Sequence, residues 1–187
     1  KIAINEQYES IKANVNENIV SNKINLTFKI EETEKFYVEK INIFGNTITR
    51  ENVIRNQFEI DEGDAFNEIL EKKTINNIKN LGFFKNVTSE TVPGKNNKTK
   101  IINITVEEKA TGEIMAGAGF GTNGGSIMFS VKENNYLGKG LKLSNTLLIN
   151  EESIKGSFSV SNPNFNNTDK SVYFNIQALE TDRLTNF

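Results

Sequence analysis

Residues 112–140 read GEIMAGAGFGTNGGSIMFSVKENNYLGKG, and nearly every second position is apolar. Ile114, Ala116, Ala118 and Phe120 share one parity, as do Ile127, Phe129 and Val131. Side chains alternate across a strand, so this spacing predicts two strands, each with one apolar and one polar face. The pattern runs on to the end of the chain. A third strand offers Leu141, Leu143, Leu147 and Ile149, with Asn145 as an exception. A fourth offers Ile154, Gly156, Phe158 and Val160, and a fifth Val172, Phe174, Ile176 and Ala178. The opposite parity carries Ser126, Ser130 and Lys132, then Lys142, Ser144 and Thr146, then Ser153, Lys155, Ser157 and Ser159, and last Ser171, Asn175 and Gln177.

These segments match the roughly 9–11 residues that a tilted membrane strand needs. A soluble β-sandwich alternates in the same way, and periodicity alone leaves both architectures open. The polar parity is rich in Ser, Asn and Gln and poor in charge, which fits the lumen of a barrel better than a water-facing sheet. Gly119–Gly124 fits a G-x-G-x-x-G pattern. A strand pattern follows it where a dinucleotide site needs a helix, so no nucleotide site is expected.

Composition changes near residue 110. Residues 1–110 hold 33 of the 46 Asp, Glu, Lys and Arg, whereas residues 111–187 hold 9 of the 13 Gly. The first half therefore reads as a solvated α+β region. Residues 1–33 end in a hairpin, with a strand near residues 10–18, a turn at Asn22-Lys23, and Ile24, Leu26, Phe28 and Ile30 alternating with polar residues to give one buried face. Residues 36–109 read as a complete module of order β-α-α-β-β. A strand over residues 37–44 ends at Gly45-Asn46. Thr49 is placed to cap a helix from Arg50 to Phe58. After a break at Gly63-Asp64, a second helix carries Phe66, Ile69, Leu70, Ile75, Ile78 and Leu81, and Gly82 ends it. Residues 83–92 and 100–107 then form a hairpin across Pro93-Gly94. Two amphipathic helices on one face of a three-stranded sheet satisfy such a module.

The 187 residues include no Cys and no His, and the net charge is −2. Zinc sites of the usual ligand set, disulfides, thiol nucleophiles and His-dependent triads are thereby excluded. No basic face points to nucleic acid. Glu31-Glu32, Glu107-Glu108 and Glu151-Glu152 are adjacent carboxylates; neighbours on a strand point to opposite faces, so they read as solvated charges and not as acid/base pairs. No enzyme, cofactor or metal is expected.

Three stretches carry a resemblance. Residues 41–47 (INIFGNT), 63–66 (GDAF) and 81–87 (LGFFKNV), in that order and spacing, resemble the signature of a POTRA domain, the periplasmic polypeptide-transport-associated module of outer-membrane assembly proteins. Residues 134–140 (NNYLGKG) look like the short periplasmic turn between the second and third barrel strands of that family, and residues 161–165 (SNPNF) like the turn between the fourth and fifth. The motif positions are Gly45, Asn46, Gly63, Gly82, Leu137, Gly138, Gly140, Pro163 and Phe165. The resemblance implies the tail of a preceding POTRA domain in residues 1–33, a POTRA domain in 36–109, and the first five strands of a transmembrane β-barrel in 111–187. It places the chain in the bacterial outer membrane, with residues 1–110 in the periplasm.

It further implies assembly and insertion of β-barrel proteins. The partners would be unfolded outer-membrane clients, accessory outer-membrane lipoproteins and outer-membrane lipid. A polypeptide-translocating barrel and the barrel anchor of a surface lipase share these modules and remain alternatives. Two edges are expected to receive client strands. One is the strand over residues 83–92, with Phe83, Phe84 and Val87. The other is the first barrel strand, with Gly112, Ile114, Ala116, Gly117, Gly119 and Gly121, whose glycines weaken it. Relief of crowding at a barrel bend would also account for those glycines.

Overall fold

The computed structural model describes residues 11–20, 23–32, 34–121, 124–165 and 170–181. The strands and helices are, in order, β1 (Ile11–Val20), β2 (Lys23–Glu32), β3 (Tyr37–Phe44), α1 (Glu51–Arg55), α2 (Glu68–Asn80), β4 (Phe84–Pro93), β5 (Thr99–Glu108), β6 (Gly112–Gly121), β7 (Gly124–Tyr136), β8 (Leu141–Asn150), β9 (Ser153–Asn162) and β10 (Val172–Thr181). They make three sheets: β1-β2, β3-β5-β4 and β10-β9-β8-β7-β6. The chain divides into two compact units. One comprises residues 1–44, 57–80 and 87–106, the other residues 45–56, 81–86 and 107–187.

In the first unit, β3 lies parallel to β5, with Ile41 opposite Ile102 and Ile43 opposite Ile104. The central strand of that sheet buries Ile102, Ile104 and Val106, and Val38, Ile41 and Ile78 are equally enclosed. Asn67 caps α2 by accepting hydrogen bonds from the Ile69 and Leu70 amides at its Oδ1. Thr74, Ile75 and Ile78 form the buried stripe of that helix. Its polar side chains serve the segment before it: Thr74 Oγ1 accepts from the Glu59 amide at 2.9 Å, and Asn77 Nδ2 donates to the Gln57 carbonyl at 3.2 Å. The β4–β5 turn is held at the end of the sheet by Glu39, whose carboxylate accepts from the Thr99 hydroxyl and the Lys95 amide, both at 2.7 Å. The Thr99 hydroxyl, then the Lys95 amide, hold that carboxyl below its usual pKa.

Two expectations change here. The first helix is one turn long, ending at Arg55, and Arg50 is its N-cap with no side-chain capping bond. Thr49 does not cap it, because both its amide and its hydroxyl are engaged elsewhere. Residues 57–60 instead turn to lie along α2, whose side chains satisfy their backbone. The β1–β2 hairpin forms as expected, with Val15 opposite Phe28 and Ile19 opposite Ile24. Its apolar face is not buried: Val15, Ile19, Ile24, Leu26, Phe28 and Ile30 are each more than half exposed. Register alone creates the face, and among the described residues nothing covers it. Asn22 in its turn lies outside the described residues.

In the second unit a single register runs through five antiparallel strands. Ile114, Val131, Asn145, Phe158 and Ile176 form one cross-strand row, and Ala116, Phe129, Leu147, Gly156 and Ala178 the next. The other face aligns Met115, Ser130, Thr146, Ser157 and Gln177, with a 2.9 Å hydrogen bond between the Ser130 and Thr146 hydroxyls. Much of the apolar row is exposed, including Ile114, Ile127, Phe129, Phe158, Phe174 and Ile176. A sheet in water hides such a face; a barrel in lipid presents it.

The packing of the first unit gives a direct prediction. Ile102→Ala should lower the stability of the isolated module, residues 34–110, by about 2–5 kcal/mol through a cavity at the centre of the sheet. Thr88→Ala on exposed β4 should change it by no more than about 0.5 kcal/mol. Denaturant unfolding followed by circular dichroism measures both, and equal effects would mean that β5 is not the core strand.

Candidate functional site

Three features of the described residues are open to function: the β4 edge, the β6 edge, and a polar cluster that fastens the β7–β8 turn. The cluster begins with a break in alternation. In β7, Glu133 sits opposite Leu143 and Tyr136 opposite Leu141, so β7 carries one residue more than β8 between these pairs. Such a bulge re-aims side chains. It turns Tyr136 onto the apolar face, opposite Leu141, and sends Asn135 inward.

Asn135 is buried, and both ends of its side-chain amide are hydrogen-bonded. Nδ2 donates to Thr49 Oγ1 at 2.8 Å, and Oδ1 accepts from the Gly140 amide at 2.8 Å. Thr49 is buried too, and its amide donates to Glu108 at 2.6 Å. Glu108 also accepts from the Ile48 amide at 2.8 Å and the Thr47 hydroxyl at 2.7 Å. Burial pushes the Glu108 carboxyl up, but these hydrogen bonds from Thr49, Thr47 and Ile48 outweigh it and hold the pKa down at about 2. Glu108 is therefore a structural anion and not the free surface charge that its sequence neighbourhood implies. The Arg50 amide donates to the Gly138 carbonyl at 2.9 Å, and a Cβ at Gly138 would collide with the Ile48 carbonyl. Gly138 and Gly140 both have φ +68, and Gly140 packs against Val53. Only glycine satisfies both the backbone angle and the close approach. Leu137 also has positive φ, 54°, which costs a non-glycine residue about 1–2 kcal/mol.

The other motif residues occupy the ends of elements. Gly45, Gly63 and Gly82 have φ of 87°, 98° and 75°. Asn46 Nδ2 donates to the Thr49 carbonyl, which fixes the same loop. Pro163 follows the end of β9, and the Phe165 amide donates to the Lys170 carbonyl at 2.7 Å across a turn whose tip, residues 166–169, lies outside the described residues.

β4 is an edge strand of its sheet. Phe83, Phe84 and Val87 are buried, however, and the side chains that this strand exposes are those of Thr88, Ser89 and Glu90 among others. β6 is one edge of the five-stranded sheet and β10 the other, and all ten residues of each are exposed. Gly112, Ile114 and Ala116 lie on the face of the apolar rows, and Gly117, Gly119 and Gly121 on the opposite face, where Gly117 aligns with Met128, Leu148, Lys155 and Leu179. Among the described residues nothing comes within 4 Å of a Cβ built at Gly117 or Gly121, and only the Ser126 hydroxyl does so at Gly119. The strand β7, and no helix, follows the G-x-G-x-x-G stretch.

Sequence reasoning missed Asn135, Thr49 and Glu108 as a unit. The visible signal was the run Lys132-Glu133-Asn134-Asn135, where strict alternation fails.

Comparison with known proteins gives the class. Residues 36–109 match the POTRA family, described as a surface antigen variable number repeat. The crystal structure of BamA from Haemophilus ducreyi lacking POTRA domains 1–3 superposes with a TM-score of 0.78 at 23% identity, over 97% of this chain and 35% of that one. Residues 36–109 thus match a POTRA domain, and the fold of the antiparallel strands that follow resembles that of the BamA structure.

The particular likeness is to the outer membrane protein assembly factor BamA. The protein of that name from Neorickettsia risticii is 34% identical over 119 residues, 62% of this chain and 16% of its own length. That from Neisseria meningitidis is 25% identical over 177 residues, 94% of this chain and 22% of its own length. The chain thus spans about a fifth of the curated relatives it matches. The likeness to proteins of that name therefore concerns one segment of them.

The carboxylate cluster predicts a pH effect. Because the folded pKa of Glu108 lies below its usual value of 4.5, its stabilisation is complete above about pH 4.5 and is lost as pH falls toward 2. Glu108→Gln should destabilise the protein by about 1–2 kcal/mol at pH 7 and flatten the acid limb of the stability curve. Melting curves from pH 7 to 2 measure this, and parallel acid limbs in the two proteins would show that Glu108 is not the titrating group.

Proposed function

We propose that this chain is the segment of an outer-membrane β-barrel assembly factor in which a periplasmic POTRA domain runs into the first barrel strands. Its partners are unfolded outer-membrane clients, accessory lipoproteins and the surrounding lipid. The hairpin of residues 11–32 is assigned to a preceding POTRA domain. The work requires no bond chemistry; it consists of offering backbone edges to extended clients by strand addition.

The observation that carries this reading is β6. It is a ten-residue terminal strand with an exposed edge, and its glycines answer to no crowding among the described residues. Glycine lowers the packing that holds a strand to its neighbour. An unpaired edge in lipid leaves backbone N–H and C=O groups without partners, at a cost of several kcal/mol each. A client strand is therefore favoured as the replacement partner whenever the seam at β6 opens. β4 offers a second edge on the periplasmic side, where exposed Thr88 and Glu90 leave the backbone approachable.

Photocrosslinkers placed one at a time in the full-length protein test this reading. Positions Met115, Gly117 and Gly119 on β6, and Thr88 and Glu90 on β4, should capture unfolded clients. Thr146 on the central strand β8 should not. Capture at Thr146 equal to that on β6, or none on either edge, would contradict the proposal.

A further inference from the structure

The β7–β8 turn and the loop it grips show an inverted polarity. Their polar side chains, Asn135 and Thr49, are buried and hydrogen-bonded to each other. Their apolar side chains point out: Ile48 is 67% exposed, Leu137 63% and Tyr136 42%. Loops in water do the reverse, keeping polar groups outside and apolar ones in. Leu137 is held with positive φ, a conformation that disfavours leucine, and stays mostly exposed among the described residues.

The arrangement is built and not incidental. The Arg50 amide bonds to the Gly138 carbonyl, and Gly138 abuts the Ile48 carbonyl, so the backbones that carry Ile48 and Leu137 are fastened side by side. The bulge at Asn134-Asn135 brings Tyr136 onto the apolar face of the sheet beside Leu141, so the apolar tip continues that face. Arg50 and Lys139 are exposed, and neither makes an ion pair among the described residues.

We infer that Ile48, Tyr136 and Leu137, flanked by Arg50 and Lys139, form a lipid-facing anchor seated in the interfacial zone of the bilayer at the ends of β7 and β8. An aromatic ring at a strand end, short apolar side chains beyond it and two cations at phosphate level match the chemistry of a phospholipid surface. The anchor has a mechanical consequence. A loop of the POTRA sequence would share the lipid contact of the barrel turn, so displacing that loop would also pull apolar side chains from lipid. The inference rests on the reading of β6–β10 as membrane strands.

The test uses full-length protein in vesicles of phosphatidylcholine and phosphatidylglycerol, with a single bimane label at Ile48→Cys, Leu137→Cys or Phe158→Cys. Phe158 lies on the apolar face of β9. All three labels should lose fluorescence to brominated lipid, those at 48 and 137 most strongly when bromine sits high on the acyl chain. Joint replacement Arg50→Gln and Lys139→Gln should reduce quenching at position 48 and leave it unchanged at 158. Quenching at 158, with positions 48 and 137 reached only by aqueous iodide, would overturn the anchor while leaving the membrane strands intact. No lipid quenching at any of the three would overturn both. Shielding of 48 and 137 that appears only when an accessory protein is added would assign the patch to a protein partner and overturn the lipid assignment. If the charge replacements left quenching at 48 unchanged, Arg50 and Lys139 would not be lipid ligands.

Discussion

Side chains alternate along a strand, so a slip of one residue in any of β6 to β10 would exchange the faces of that strand. The register from Ile114 through Val131, Asn145 and Phe158 to Ile176 shows no such slip. That one constraint yields an apolar face and a mixed face, on which Ser130, Thr146, Ser157 and Gln177 stand beside Met128, Leu148, Lys155 and Leu179. It also gives meaning to the single place where β7 and β8 lose step. The extra residue before Tyr136 sends Asn135 to Thr49, and Thr49 is in turn anchored to Glu108. The defect in the ladder is the fastening point for the loop of residues 45–50.

Much of this was legible because period two is a local signal. The apolar parities of all five strands, the turns at residues 137–140 and 163–165, and the β-α-α-β-β order could be read without long-range information. What could not be read depended on distant partners. Thr49 has the chemistry of a helix cap, but Glu108 and Asn135 compete for its amide and hydroxyl from 59 and 86 residues away. Glu108 looked like a solvated charge because its donors lie in a different part of the sequence. The hairpin of residues 11–32 shows the opposite error. Its alternation was read correctly, but alternation specifies a face and says nothing about what covers it.

The candidate site divides in the same way. Phe83, Phe84 and Val87 were recognisable as motif residues, and their burial assigns them to holding β4 in place. The glycines of β6 could be read either as weak points or as relief of crowding at a bend, and among the described residues open space lies beside Gly117 and Gly121. In both cases the proposed function rests on the backbone edge and not on a set of side chains. This suits a function in which clients of unrelated sequence must be accepted, since backbone hydrogen bonds make little demand on side-chain identity.

The central claim is that β6–β10 present one face to lipid and the other to water. A spin label walked one residue at a time along β8, from Leu143 to Ile149, in full-length protein reconstituted in bilayers, measures this directly. Accessibility to membrane-dissolved oxygen should peak at Leu147 and Ile149, with accessibility to a water-soluble nickel reagent peaking at Ser144 and Thr146. If positions 147 and 149 were closed to both reagents while 144 and 146 met water, the strands would form a soluble sandwich and the account would be wrong.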